Sequence, residues 1–408
     1  MATEEKPALT VLVGAGASIP LGLPSTPAVT EYVTRGRSGD TPTGKLAGLE
    51  DDARDFLQNM HAVLIDRCAR HSFGAPKKPN FEDLLHAAET VANLRETFLQ
   101  RSAGSMAALL TGGPAGDLIS FFHDRRSSFA AQYLVQDLQE LFAAELTIPE
   151  WYANLWRQLS GRCALTVATT NYDLAIEMAV PCVDQGFRKW ADGKPATFAR
   201  SSEWHEPTLM HLHGSVRFGY FFDDEKRTLF DREFGEIFLY DDPAVAASTR
   251  GAGSPQLMQS GERRIVGCLI TGLNKPDKVL AMDPYQTYYR ELSRSLETSP
   301  RLLIAGYGFG DYHLNSLVRR FTRWHGDQRR VAVIDFVSQP RWHELVHDPE
   351  LFVEGGEAIM KLSRTVTLFD RKPYADPWSS PDTRCRFYPS GIEACATRVE
   401  EITRFLAS

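Results

Sequence analysis

The sequence predicts an α/β fold: a parallel sheet with a large helical subdomain inserted after the first strand. Three observations point there. Short apolar runs rich in β-branched residues, without alternation, recur along the chain, as in strands covered on both faces. Each run hands over to small or polar residues, as a strand does when it turns into a loop or helix. Between the first two runs the pattern is mainly helical, and that crossover is far longer than a simple strand–helix–strand unit needs.

The runs are "LTVLV" (9–13), "CALTVAT" (163–169), "RLLIAG" (301–306) and "RVAVIDF" (330–336), with a weaker one, "RTVTLFD", at 364–370. Within the crossover, Asn80 followed by Asp83 has the form of a capping box. Phe81, Leu84, Leu85, Ala88 and Val91 then recur at helical spacing. Residues 117–146 predict one or two further amphipathic helices with a break near Ser127–Ser128, and 217–265 predict irregular loops with room for a hairpin. The chain closes on a short helical pattern, "IEACATRVEEITRFLAS". The expected division is a sheet domain from 1–44 and 160–340, a helical insertion over 45–159, and an extension over 341–408 packed on the core.

With 408 residues the chain exceeds what one core usually organises, which suits that division. Hydrophobic residues at 43% and charged residues at 24% are those of a soluble globular protein. A net charge of −7 gives no general nucleic-acid footprint, so direct nucleic-acid binding is not indicated. No apolar stretch reaches the roughly 20 residues of a membrane-spanning helix. The six cysteines form no C-x-x-C pair, which argues against a zinc ribbon and favours a reducing compartment. The opening apolar stretch imitates a signal peptide, but Glu4 and Glu5 make its leader acidic where such a leader is basic. A cytoplasmic location is expected.

Five constellations could carry chemistry. Gly14, Ala15, Gly16 and Ser18 follow the first strand, where small residues let the backbone approach a pyrophosphate at a helix start. Ile19 stands where a dinucleotide fingerprint has its third glycine, so a tight corner with no ligand is the alternative. "TTNYD" (169–173) follows the second strand, where ligands bind in parallel sheets; the alternative is that Asn171 or Asp173 caps the helix that follows. In "LMHLHGSVRFG" (209–219) His211 and His213 would share one side of an extended segment, as metal ligands, as a general base, or as structural histidines. A catalytic zinc needs a third protein ligand, and no nearby spacing supplies one, so no metal is expected. Gly306 and Gly308 form a second glycine turn leading to Asp311, His313 and Asn315, with Asp311 as helix cap in the plainer reading. Asp335 ends the fourth strand, where an acid suits ribose hydroxyls.

The order strand–GAGAS, strand–TTNYD, HGS, strand–GYGFGD resembles the sirtuin (Sir2) superfamily, whose fold is a Rossmann-like parallel sheet. Within it the chain is most similar to bacterial SIR2-like antiphage NADases of the type paired with a HerA-like ATPase, on its "FEDLL" and "GYGFGD" segments. Deacylating sirtuins continue the first motif with an Asp-Phe-Arg segment and insert a four-cysteine zinc module. This chain has "PSTPAV" at 24–29 and no cysteine pairs. The resemblance therefore implies an NAD⁺ glycohydrolase that depletes NAD⁺ as an antiphage effector; an NAD-dependent deacylase and a non-catalytic NAD-binding scaffold are the alternatives. NAD⁺ would be substrate, with no further cofactor required.

By the same resemblance, Gly14, Ala15, Gly16 and Ser18 approach the phosphates, with Thr170 beside them. Asn171 holds the water or ribose at the scissile bond, Asp173 supports the nicotinamide ribose, and His213 is the general base. Gly306, Gly308 and Asp311 border the adenine-side ribose and phosphates. About 70 residues follow 336, fewer than a nucleotide-sensing domain needs. Control by homo-oligomerisation and by a HerA-like ATPase partner is therefore expected.

Overall fold

The structure, a computed structural model, describes residues 6–35, 47–71, 79–88, 91, 126–143, 146–180, 182–189, 191–221, 237–249, 268–271, 275, 279, 283–336 and 376–408. The expected strand at 364–370 and the segment 117–125 lie outside the described residues. The strands are β1 (Ala8–Val13), β2 (Ala164–Thr169), β3 (Phe187–Arg188), β4 (Thr197–Phe198), β5 (Thr208–His211), β6 (Phe218–Tyr220), β7 (Ile237–Leu239), β8 (Arg301–Ala305), β9 (Arg330–Ile334), β10 (Trp378–Ser379) and β11 (Cys385–Tyr388).

Seven of them make one sheet in the order β10-β11-β9-β8-β1-β2-β5, parallel throughout except for the edge pair β10–β11. The four strong apolar runs are four adjacent strands among its five inner ones, as the unalternated patterns predict. Their side chains alternate between two buried layers. Val11, Val13, Val167, Leu303 and Ile334 face one layer, against Trp156 and Leu159 of helix Glu150–Arg162 and Ile402 and Phe405 of helix Val399–Ala407. Leu12, Ala168, Ile304 and Val333 face the other, against Leu292 of helix Tyr285–Thr298, Val318 of helix Tyr312–His325, and the crossover helices. Period-2 alternation with both faces covered requires both sets to be apolar, hence the continuous runs. The one polar side chain deep in β1, Thr10, is matched by Ser295 Oγ at 2.6 Å.

In the crossover, helices Ala47–His71 and Arg126–Phe142 pack on each other, and residues 81–88 form a shorter helix. The capping box is formed: the Asn80 side-chain oxygen accepts from Glu82 N at 2.9 Å and Asp83 N at 3.1 Å, and the Asp83 carboxylate accepts from Asn80 N at 3.0 Å. The helix Arg126–Phe142 runs through Ser127 and Ser128 without the expected break there. Within 217–265, β6 and β7 pair as an antiparallel ladder. The terminal helical pattern becomes Gly391–Cys395, a short 3₁₀ turn, and Val399–Ala407. No helix among the described residues is long and apolar enough to cross a membrane.

Two features place the site. Strands entered after β1 lie on one side of it (β2, β5) and the later ones on the other (β8, β9, β11), so the chain direction switches between β1 and β8. Crevices at such switch points, beyond the carboxyl ends of strands, are where open parallel sheets bind ligands. The register then aligns those ends: Ala305 pairs with Val13, Val13 with Thr169, and Thr169 with His211. Residues that follow these four emerge side by side.

Candidate active site

The turns after β1 and β8 meet first, backbone to backbone. Gly14 N donates to Ala305 O and Gly16 N to Gly306 O, each at 2.9 Å. A Cβ on Gly14 would meet Gly306 O at 2.7 Å, and one on Gly306, which has φ +61°, would meet Ala17 N at 2.1 Å. These glycines are therefore required by the approach of one turn to the other, and the N–H groups of Gly14 and Gly16 are spent on that contact. The opening turn is a pair of 3₁₀ segments rather than the start of a long helix.

Asn171, 7% exposed, reaches across from the β2 exit to the β1 turn. Its Nδ2 donates to Gly14 O at 3.1 Å and to Ser18 Oγ at 2.8 Å. A carbonyl only accepts, so the amide orientation is fixed by chemistry. Its Oδ1 is left buried without a hydrogen-bond partner among the described residues. Asn171 caps nothing. Asp173 does serve as a turn acceptor, taking Ala175 N at 2.9 Å, and is also hydrogen-bonded to Ser18. Burial raises the Asp173 carboxyl pKa against the pull of those two donors. Thr170 N donates to Val13 O at 3.0 Å, fixing the start of this segment to β1.

The two histidines do not share a side. His211 is the last residue of β5, and period-2 alternation stops where the strand stops. Its Nε2 pairs with Glu177 Oε1 at 2.9 Å and its Nδ1 lies 3.3 Å from Asn171 O. Burial lowers the His211 pKa, but Glu177, the Asn171 carbonyl and Asp173 together outweigh it and the net shift is upward. His213, 2% exposed, turns instead into the cleft beside Asn171. Its Nε2 lacks a hydrogen-bond partner among the described residues and stands 3.8 Å from Asp311 Oδ1. Burial and then Lys275 depress its pKa to about 3, against the opposing pull of Asp311, so the imidazole is neutral. Gly214, at φ +101°, admits the Cys268 carbonyl and the Tyr285 hydroxyl rather than a ligand.

Asp311 stands at the cap position of helix Tyr312–His325 but makes no capping bond with its side chain. The carboxylate is taken by Lys275 Nζ at 2.8 Å, and the same ammonium holds Glu82 Oε1 at 3.0 Å. Burial pushes Asp311 up, yet its polar surroundings, the bonded Lys275 ammonium among them, hold it down at about 2. Glu82 is raised by burial, partly offset by Lys275.

One cleft thus gathers Ala15, Ser18, Thr170, Asn171, Asp173, His213 and Asp311 from the sequence-derived set. Gly14, Gly16 and Gly306 form the turn contact beneath it. Gly308 is exposed, and neither it nor Asp335 is among the lining residues; the Asp335 carboxylate accepts from Phe336 N at 2.8 Å. Sequence reasoning missed Lys275 and Glu82. Lys275 has no motif around it, and Glu82, though inside the "FEDLL" segment, shows no role of its own until the fold sets it beside Lys275 in the cleft.

No curated protein matches the sequence. Among solved structures, a Sir2 bound to an acetylated peptide superposes with a TM-score of 0.40 at 12% identity, covering 98% of this chain and 95% of that one. A Sir2 bound to a propionylated peptide gives 0.36 at 12% identity, with the same coverages. These superpositions are distant. Residues 165–347 match the family model of the SIR2-like domain, a span that takes in β2, Asn171, His213 and the β8 turn. The β1 turn, which meets the β8 turn beneath the cleft, lies outside the matched residues.

Proposed function

We propose that this protein is an NAD⁺ glycohydrolase, cleaving the bond between nicotinamide and ribose with Asn171 and His213 as its working side chains. The observation that carries the reading is the pair of unpartnered buried atoms, Asn171 Oδ1 and His213 Nε2, lining one cleft at the switch point of a SIR2-like domain. Buried polar atoms are nearly always satisfied, so two orphans in one cleft are what a bound substrate would complete.

The chemistry asks little more. Nicotinamide leaves as a neutral molecule from a cationic state, so no acid need protonate it. The oxocarbenium-like transition state is favoured by nearby negative charge and hydrogen-bond acceptors. Asp173 and Asn171 Oδ1 supply acceptors at the cleft, and neutral His213 can take the proton from the attacking water or ribose hydroxyl. With no paired cysteines for a zinc module, peptide deacylation has less support.

The same reading makes the enzyme a cytoplasmic antiphage effector that depletes NAD⁺, controlled by self-assembly and by a HerA-like ATPase. That part rests on the motif resemblance. The test is nicotinamide release from NAD⁺ by the purified chain, alone and with such an ATPase. Release that is absent under both conditions, or unchanged in both Asn171→Ala and His213→Ala, overturns the proposal.

A further inference from the structure

Three potential metal ligands converge where the sequence offered only two. His213 follows β5, Asp311 ends the turn after β8, and His313 lies in the first turn of helix Tyr312–His325. One ligand atom from each lies within 4.8 Å of the others. His213 Nε2 is the buried atom without a hydrogen-bond partner among the described residues, and it points at this cluster, 3.8 Å from Asp311 Oδ1. His313 is half-buried and its ring is held from outside by the Tyr289 hydroxyl at 2.6 Å, the sort of outer hydrogen bond that orients ligating imidazoles.

We propose that His213, Asp311 and His313 form a binding site for a divalent transition-metal ion of the zinc class, and that the bound ion silences the enzyme by occupying the lone pair of His213. Two imidazoles and one carboxylate are a borderline-soft, mixed N/O donor set, which suits zinc better than calcium or magnesium. Lys275 does not forbid the ion. Its single positive charge is shared between Asp311 and Glu82, so the three groups carry one net negative charge, and Glu82 still holds the ammonium when the metal takes the Asp311 oxygen. Ligands of a tetrahedral zinc lie roughly 3.3 Å apart, so the cluster must contract by side-chain rotation.

Only the silencing rests on the glycohydrolase reading; the binding does not. The experiment therefore measures both. Zn²⁺ alone is dialysed against the full chain and against His313→Ala, with bound metal quantified, and nicotinamide release is followed with Zn²⁺ and after chelation. The expected result is one Zn²⁺ per chain, an affinity weakened by about tenfold or more in His313→Ala, and release that Zn²⁺ suppresses in the parent but not in the variant. Cobalt(II) added to the unmutated protein gives the visible absorption of a tetrahedral site, a readout independent of whether the variant folds. No stoichiometric Zn²⁺, or equal binding by His313→Ala, overturns the site. Binding through His313 without suppression of a measurable release overturns the silencing. Binding through His313 with no release from either protein, both alone and with the ATPase present, sustains the site and overturns the glycohydrolase reading.

Discussion

The Asn171 amide donates to the Ser18 hydroxyl at 2.8 Å, joining two residues 153 positions apart and pinning the β2 exit to the β1 turn. Because the same Nδ2 also donates to Gly14 O, an oxygen in its place would face two acceptors. Asn171→Asp should therefore lose nicotinamide release and also cost about 1–3 kcal/mol of stability, from groups left without partners. Asn171→Ala should lose release with a smaller stability loss. Urea unfolding beside the release assay separates the two effects.

The histidines should behave oppositely. His213→Ala removes a base with no hydrogen-bond partner to orphan among the described residues, so turnover should fall about 10²–10⁴-fold with little change in melting temperature. His211→Ala breaks a buried pair with Glu177 and should destabilise by about 3–5 kcal/mol. Glu177→Gln keeps a hydrogen-bond acceptor and should cost less. Equal melting temperatures for the two histidine variants would contradict this division.

Gly306 and Gly308 are two positions apart yet differ in what a methyl group meets. Gly306→Ala forces a Cβ to within 2.1 Å of Ala17 N at φ +61°, and should destabilise by more than about 3 kcal/mol or prevent folding. At Gly308 a Cβ meets nothing within 4 Å, so Gly308→Ala should stay within about 0.5 kcal/mol of the parent. Any loss of NAD⁺ binding in that variant then reports on the ligand rather than the fold.

Asp335 supplies a pH dependence. Burial raises its pKa to about 6, against the lowering effect of the Phe336 N–H bond. With the folded pKa above the unfolded one, its favourable contribution is complete below pH 3.8 and is lost as pH rises through about 6. Asp335→Asn retains an acceptor for Phe336 N and removes the buried charge. It should stabilise the fold at pH 7.5 by on the order of 1 kcal/mol, read as a higher melting temperature, and the advantage should shrink as pH falls from 6 to 4. An advantage that persists unchanged at pH 4 would contradict the assignment.

Much of the sheet was legible because buried parallel strands must be apolar on both faces, and "LTVLV" or "RLLIAG" can be little else. β11 was missed: "CRFY" is four residues with an arginine inside, too short and too mixed to stand out from a loop. The Asn80–Asp83 box was legible for a different reason, since a cap closes through atoms three positions apart and needs no tertiary context.

By itself, then, the sequence determined the strand-forming runs, the local caps and turns, and which chemically capable residues stand at strand ends. Tertiary structure alone decided what those residues face. Strand order and register carried Asn171 to Ser18, parted His211 from His213, turned Asp311 away from capping, and brought Lys275 and Glu82 to the cleft. Propensity and periodicity act over a few residues, whereas these contacts are set by which strand ends lie side by side, and that depends on packing two apolar faces across the whole chain.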